Sequence, residues 1–191
     1  MGRWLPDAKQ RLRSAALELI AEQGFAATTV PQITARAGLT TRTFFRHYAD
    51  KREVLFATNG FPERATRMIV DARPSLGPVD VIREGLREVA ETAFEGRRGE
   101  VHAIRDIIRS DEGLRERDLH KRAALAEAIR AGFVLRDIDP VVAALLAQTS
   151  VTVLYIAVDE WLDRDDGARL ADLVEQSLST LRGELVGLGQ T

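Results

Sequence analysis

Apolar residues recur along this chain at intervals of three and four, and no stretch alternates with the period of two that a half-buried strand requires. The pattern predicts an all-α fold of about nine helices. The first covers residues 7–23, with Leu12, Ala15, Ala16, Leu19 and Ile20 on one face and Gly24 as its stop. Thr29 opens a short second helix. Its hydroxyl caps, Pro31 sits in a first turn that has no use for its missing N–H, and Gln32 completes a capping box. Val30, Ile33 and Ala37 form the inner face, and Gly38 supplies the positive φ that ends it. Leu39 turns back to the core, Thr40 caps a third helix over 41–48, and Phe44 and Tyr48 share its inner face at i and i+4.

A fourth helix starts at Asp50 or Lys51 with Val54, Leu55 and Phe56, and Asn59, Gly60 and Pro62 break or kink it before it resumes towards Arg73. The fifth is expected over 79–94, the sixth over 100–109, the seventh over 112–133, the eighth from Pro140 to Leu162 and the ninth over about 168–186. In the ninth, Leu170, Val174, Leu178, Leu181, Leu185 and Leu188 make a near-heptad apolar seam. Together with an almost wholly apolar eighth helix carrying Leu154, it offers more apolar surface than one small bundle hides, which points to a homodimer interface. A purely intramolecular core is the competing reading.

The eighteen uncharged residues 141–158 reach about 27 Å as a helix, a marginal length for a bilayer core. They include Ala143, Ala144, Ala147, Gln148, Thr149, Ser150 and Thr152, and acidic residues flank both ends. A buried bundle helix is expected instead, with no membrane partner.

The 24 residues Thr28 to Lys51 thus pack a short helix, a glycine turn and a basic, hydroxyl-rich second helix, the layout of a helix-turn-helix whose second helix enters the major groove. Charge supports this. Residues 1–51 hold eight basic and four acidic residues, while the remainder holds 19 basic and 25 acidic, so a basic N-terminal quarter sits on an acidic body. With 45% apolar and 29% charged residues the chain is neither disordered nor low in complexity. The absence of cysteine excludes disulfides and Cys-based zinc sites, and the N-terminal stretch lacks a secretory pattern, so the cytoplasm is expected. No phosphate loop, nucleophile elbow or His-Glu-x-x-His is present, so neither an enzyme nor a cofactor is expected. His102 and Asp106 stand at i and i+4, but two ligands define no metal site.

The run AEQGFAATTV, QITARAGLT, TRTFFRHYADK and REVLF, continuous over about residues 8–56, resembles the N-terminal domain of the tetracycline-repressor (TetR-like) family of bacterial transcription regulators. The resemblance implies an all-α homodimer. An N-terminal three-helix helix-turn-helix DNA-binding domain (6–66, motif about 29–48) is joined by helix 4 to a helical ligand-binding and dimerisation domain (67–191). Two positions depart from the family pattern. Thr34 stands where a small Ala is usual, so its hydroxyl requires a partner, and Phe45 replaces a Tyr whose hydroxyl reaches a phosphate.

On physical grounds Thr40 and Thr43 suit phosphate oxygens, Arg42 a base edge, Arg46 a base or phosphate and Thr41 a thymine methyl, while His47, pointing sideways along the helix, suits a phosphate or solvent equally. Thr29 and Lys51, at the heads of helices 2 and 4, are expected to clamp the flanking backbone, and Arg3, Arg11 and Arg13 to add charge. For the body, Phe94, His102, Arg105, Phe133, Gln148, Thr152, Tyr155 and Trp161 are the candidate ligand-pocket residues, and Leu154, Leu170, Val174, Leu178, Leu181 and Leu185 the candidate dimer residues. The function expected is a sequence-specific DNA-binding repressor released from its operator, a DNA duplex, by a small-molecule effector. Two alternatives remain: a ligand-independent regulator (an activator or one controlled by a protein partner), or a helical binding module with an incidental helix-turn-helix.

Overall fold

A computed structural model describes residues 7–56 and 60–188, with side chains to residue 185. It contains nine α-helices and no strand among the described residues. Arg3, Asn59 and the side chain of Leu188 lie outside them. The chain forms two compact units, one of residues 1–59 with 103–118, the other of 60–102 with 119–191.

In the first unit, α1 (Ala8–Gln23), α2 (Val30–Arg36) and α3 (Thr41–His47) start where the caps predict. Asp7 caps α1, and Thr29 with Gln32 makes the reciprocal box: the Thr29 N–H donates to Gln32 Oε1 (2.8 Å) and the Gln32 N–H to Thr29 Oγ1 (3.4 Å). The glycine turn is as expected. Gly38 has φ 62°, and the N–H of Leu39 closes on the Thr34 carbonyl at 2.8 Å. Leu12, Ala16, Leu19, Ile33, Phe44 and Tyr48 pack as one core. A second cluster joins Ile20, Leu55 and Phe56 to Leu114, which brings the start of α7 (Glu112–Val134) into this unit. The expected head of helix 4 is only a 3-10 turn, Arg52–Val54; α4 proper is Phe61–Val70, opened by Gly60 at φ 79° with Pro62 in its first turn.

In the second unit, α5 (Pro78–Val89) ends in a wider π turn, Ala90–Phe94, followed by α6 (Arg98–Ser110), whose second half belongs to the first unit. Asp139 caps α8 (Pro140–Asp163) through the N–H groups of Val141 and Val142, and α9 is Leu170–Leu188. The core joins Ile69 of α4, Leu86 of α5, Phe133 of α7, Leu154 of α8 and Val174 of α9. Helix α8 is long and apolar enough to cross a membrane by length and composition, yet it buries nine residues, Ala143 to Leu162, against these neighbours. Arg136 closes the C-terminus of α4, donating to the carbonyls of Ile69 (2.8 Å), Ala72 (2.9 Å), Arg73 (3.2 Å) and Leu76 (3.4 Å).

Candidate nucleic-acid interface and a cavity in the second unit

Helix α3 is anchored by its inner face. Phe44 is fully buried and Tyr48 nearly so; their rings lie 5.4 Å apart, and the Tyr48 hydroxyl donates to the Lys9 carbonyl of α1 at 3.1 Å. Burial pushes the Tyr48 phenol above its ordinary value. With this face fixed, Thr41, Arg42, Phe45 and Arg46 all face outward. They form two stripes at i, i+4, one of methyl and phenyl (Thr41, Phe45) and one cationic (Arg42, Arg46). Phe45 is 56% exposed, its ring held edge-on against Phe44 (5.4 Å, 83°). Thr40 caps α3 by accepting from the Thr43 N–H at 3.2 Å, and the two hydroxyls lie 3.0 Å apart. His47 is half-buried, its ring nitrogen 3.5 Å from the Arg46 guanidinium.

The C-terminal end of helix α2 is braced against both ends of α1. Arg36 makes a bidentate pair with Glu22 (both 2.8 Å), which draws the Glu22 carboxyl below its usual range. At the turn Arg11 donates to the Ala37 carbonyl at 2.5 Å. The Thr34 hydroxyl, buried in this packing, donates to the Pro31 carbonyl at 3.0 Å, so the extra oxygen is satisfied within its own helix.

Lys51 has a role that sequence reasoning missed. Its ammonium donates to the carbonyls of Phe25 (2.6 Å) and Thr28 (2.7 Å) and lies 4.1 Å from the Phe25 ring centroid. It therefore ties the segment after α3 to the loop between α1 and α2; burial pulls its pKa down, and Asp111 opposes that shift. Beside it, the nearly buried Glu53 accepts from Arg117 Nε at 2.9 Å.

Within the second unit, a cavity of about 390 Å³ opens between α4, α5, α7 and α8. Phe61, Ala65, Met68 and Ile69 line it from α4; Val81, Ile82, Gly85, Leu86 and Val89 from α5; Leu125 and Ile129 from α7; Ser150, Val151 and Leu154 from α8. Asp71, Ala72, Glu84 and Glu88 complete the lining. The eight pocket positions singled out from sequence stand elsewhere. Phe133 and Trp161 are buried in the core, Phe94 meets Trp161 edge-on, Tyr155 stacks under Arg122 at 3.6 Å, and His102, Gln148 and Thr152 are exposed. Arg105 lies half-buried in the part of α6 that belongs to the first unit.

Of the positions expected at a dimer interface, Leu154, Leu170 and Val174 lie in the unit's own core, and Leu178 packs against its edge. Leu181 and Leu185 are 37% and 59% exposed. Helix α8 adds an outward stripe that the sequence pattern did not separate from its buried face: Val141, Leu145, Thr152 and Ile156, with Leu145 64% exposed.

Residues 12–71 match the model of bacterial regulatory proteins, tetR family. Over 198 residues the chain is 31% identical to the HTH-type transcriptional regulator TcmR of Streptomyces glaucescens, covering 96% of this chain and 86% of that one. Its fold is similar to a putative TetR-family transcriptional regulator from Syntrophomonas wolfei (TM-score 0.64, 16% identity, 95% of this chain and 96% of the other). It is also similar to Thermus thermophilus FadR, a TetR-family transcriptional repressor solved in complex with lauroyl-CoA (TM-score 0.52, 24% identity, 91% and 92% covered).

Proposed function

This chain belongs to the tetR family of bacterial regulatory proteins, a DNA-binding transcription regulator, and from that premise we propose that it is a cytoplasmic homodimeric repressor released by a small molecule. The observation that carries the DNA-reading part is the outward set Thr41, Arg42, Phe45 and Arg46 on a helix whose opposite face is locked by Phe44 and Tyr48. In this reading Arg42 and Arg46 address base edges, Thr41 and Phe45 offer carbon to thymine methyls, and Thr40, Thr43 and His47 hold phosphates. Thr29 keeps its cap while its exposed side chain faces the flanking backbone. Lys51 serves the backbone with the one N–H that the two carbonyls leave over.

The dimer pairs the exposed stripes of α8 and of the second half of α9, which together leave Leu145, Ile156, Leu181 and Leu185 in water in a single chain. The cavity supports an effector. Such a space is where a ligand gains apolar contact, which favours the effector-controlled reading over a ligand-independent regulator. FadR of Thermus thermophilus, solved with lauroyl-CoA, gives the precedent for a ligand-bound relative of this fold. The effector favours a conformation in which the two recognition helices no longer match half-sites about 34 Å apart. A hundredfold release needs about 2.7 kcal/mol of differential affinity.

The test is direct. Duplexes retained by the purified protein from fragmented genomic DNA should share one inverted repeat, and compounds that stabilise the protein thermally should release them. Retention of all fragments alike, unaffected by any stabilising compound, would defeat the reading.

A further inference from the structure

The cavity has a one-sided chemistry. Its walls are aliphatic and aromatic, and among the described residues the charged ones lining it are Asp71, Glu84 and Glu88, all acidic. Among the described lining residues Ser150 supplies the one side-chain hydroxyl, and its proton is already given to the Leu146 carbonyl at 2.6 Å. Glu84 and Glu88, one turn apart on α5, are half-exposed and pair with Arg73 (3.1 Å) and Arg64 (3.2 Å), neither of which lines the space. Asp71, at the C-terminal end of α4, is exposed, and its carboxylate has no ion-pair or hydrogen-bond partner among the described residues. Arg136 reaches the same helix end but directs its guanidinium to backbone carbonyls.

Taking the cavity as the effector site, we propose that it receives a lipophilic amine: an apolar body among Met68, Val89 and Ile129, with a protonated nitrogen at the acidic mouth beside Asp71. An anion of the same shape meets the unpartnered Asp71 carboxylate, Glu84 and Glu88 being already paired with Arg73 and Arg64, and finds no free donor among the described lining residues, so it is desolvated without compensation. An uncharged molecule gains the apolar contact alone. The cavity therefore selects by charge at its mouth and by shape inside.

Three probes with one ten-carbon chain separate these terms: decylamine, 1-decanol and decanoate, each titrated below its aggregation threshold into the full-length protein at pH 7 by calorimetry. The amine should bind at least tenfold more tightly than decanoate, with the alcohol between them. Asp71→Asn, a surface change, should cut the amine's advantage over the alcohol about fivefold and leave the alcohol unchanged. Ala65→Phe, which fills the space from a half-exposed position, should weaken amine and alcohol together. Decanoate binding as tightly as decylamine, with both lost in Ala65→Phe, would overturn the charge selection while the cavity reading stood. No binding by any probe, or binding indifferent to Ala65→Phe, would overturn both.

Discussion

Replacing Lys51 by Met keeps most of the aliphatic stem against Phe25 and removes the ammonium. Two charge-assisted donors to the Phe25 and Thr28 carbonyls disappear, at 2.6 and 2.7 Å, together with the cation–ring contact at 4.1 Å. Hydrogen bonds to charged groups contribute about 1.5–3 kcal/mol each. Lys51 is only half-buried, so water re-solvates part of the loss, and the ring contact adds about 0.5 kcal/mol. The net is about 2–3 kcal/mol, which for a chain of this length lowers Tm by roughly 5–10 °C. Thermal and urea unfolding of the two proteins at equal concentration read the change. The same variant on a fixed duplex should lower the slope of log K against log salt by about one if the remaining N–H also holds a phosphate. An unfolding midpoint within about 1 °C of the parent would refute the loop-tying role.

Further outcomes follow from other contacts. Tyr48→Phe loses the bond to the Lys9 carbonyl, about 1 kcal/mol at pH 7. Because burial raises the Tyr48 pKa above 10.0, that stability is fully present below about pH 10 and lost as pH rises through the raised value. The gap between parent and variant in urea should therefore close on the alkaline side, and a gap constant from pH 7 to 12 would contradict it. Gly85→Ala and Gly132→Ala are the same change with opposite signs. At Gly85 a Cβ meets only the flexible Met68 methyl (2.9 Å), so helix propensity adds about 0.5–1 kcal/mol. At Gly132 it meets three side-chain atoms of the stiff Ile69 (3.1–3.3 Å) and costs about 1–2 kcal/mol. Denaturant midpoints moving in one direction for both would sink this account. Arg42→Ala should flatten discrimination at one base pair by about 1–3 kcal/mol in competition binding; equal loss on specific and random DNA would remove its base-reading role.

The DNA-reading unit was legible in the sequence because its signals are local. The Thr29–Gln32 box, the Gly38 turn and the Phe44–Tyr48 pair each lie within a few residues of their partners, and each is found where the pattern puts it. Thr34 likewise finds its partner three residues back. Interactions across the chain were not legible: Lys51 on Thr28, Arg11 on Ala37 and Leu114 in the cluster with Ile20 depend on packing at long separation. The seam of α9 was seen as apolar, but periodicity does not say that Leu170 and Val174 are covered by the same chain while Leu185 is left open. The cavity is bounded mostly by small and aliphatic residues such as Ala65, Gly85 and Val81, which the sequence pattern does not distinguish from ordinary core positions. A missing volume has no residue to mark it.

Whether a dimer reads DNA through α3 is decided by titrating one retained duplex and a scrambled duplex of equal length between about 50 and 200 mM salt. Tighter binding of the retained duplex throughout is predicted, at two chains per duplex, with both affinities falling steeply and linearly in log salt and the difference lost in Arg42→Ala. Equal affinity for the two duplexes, or binding indifferent to salt, would contradict it.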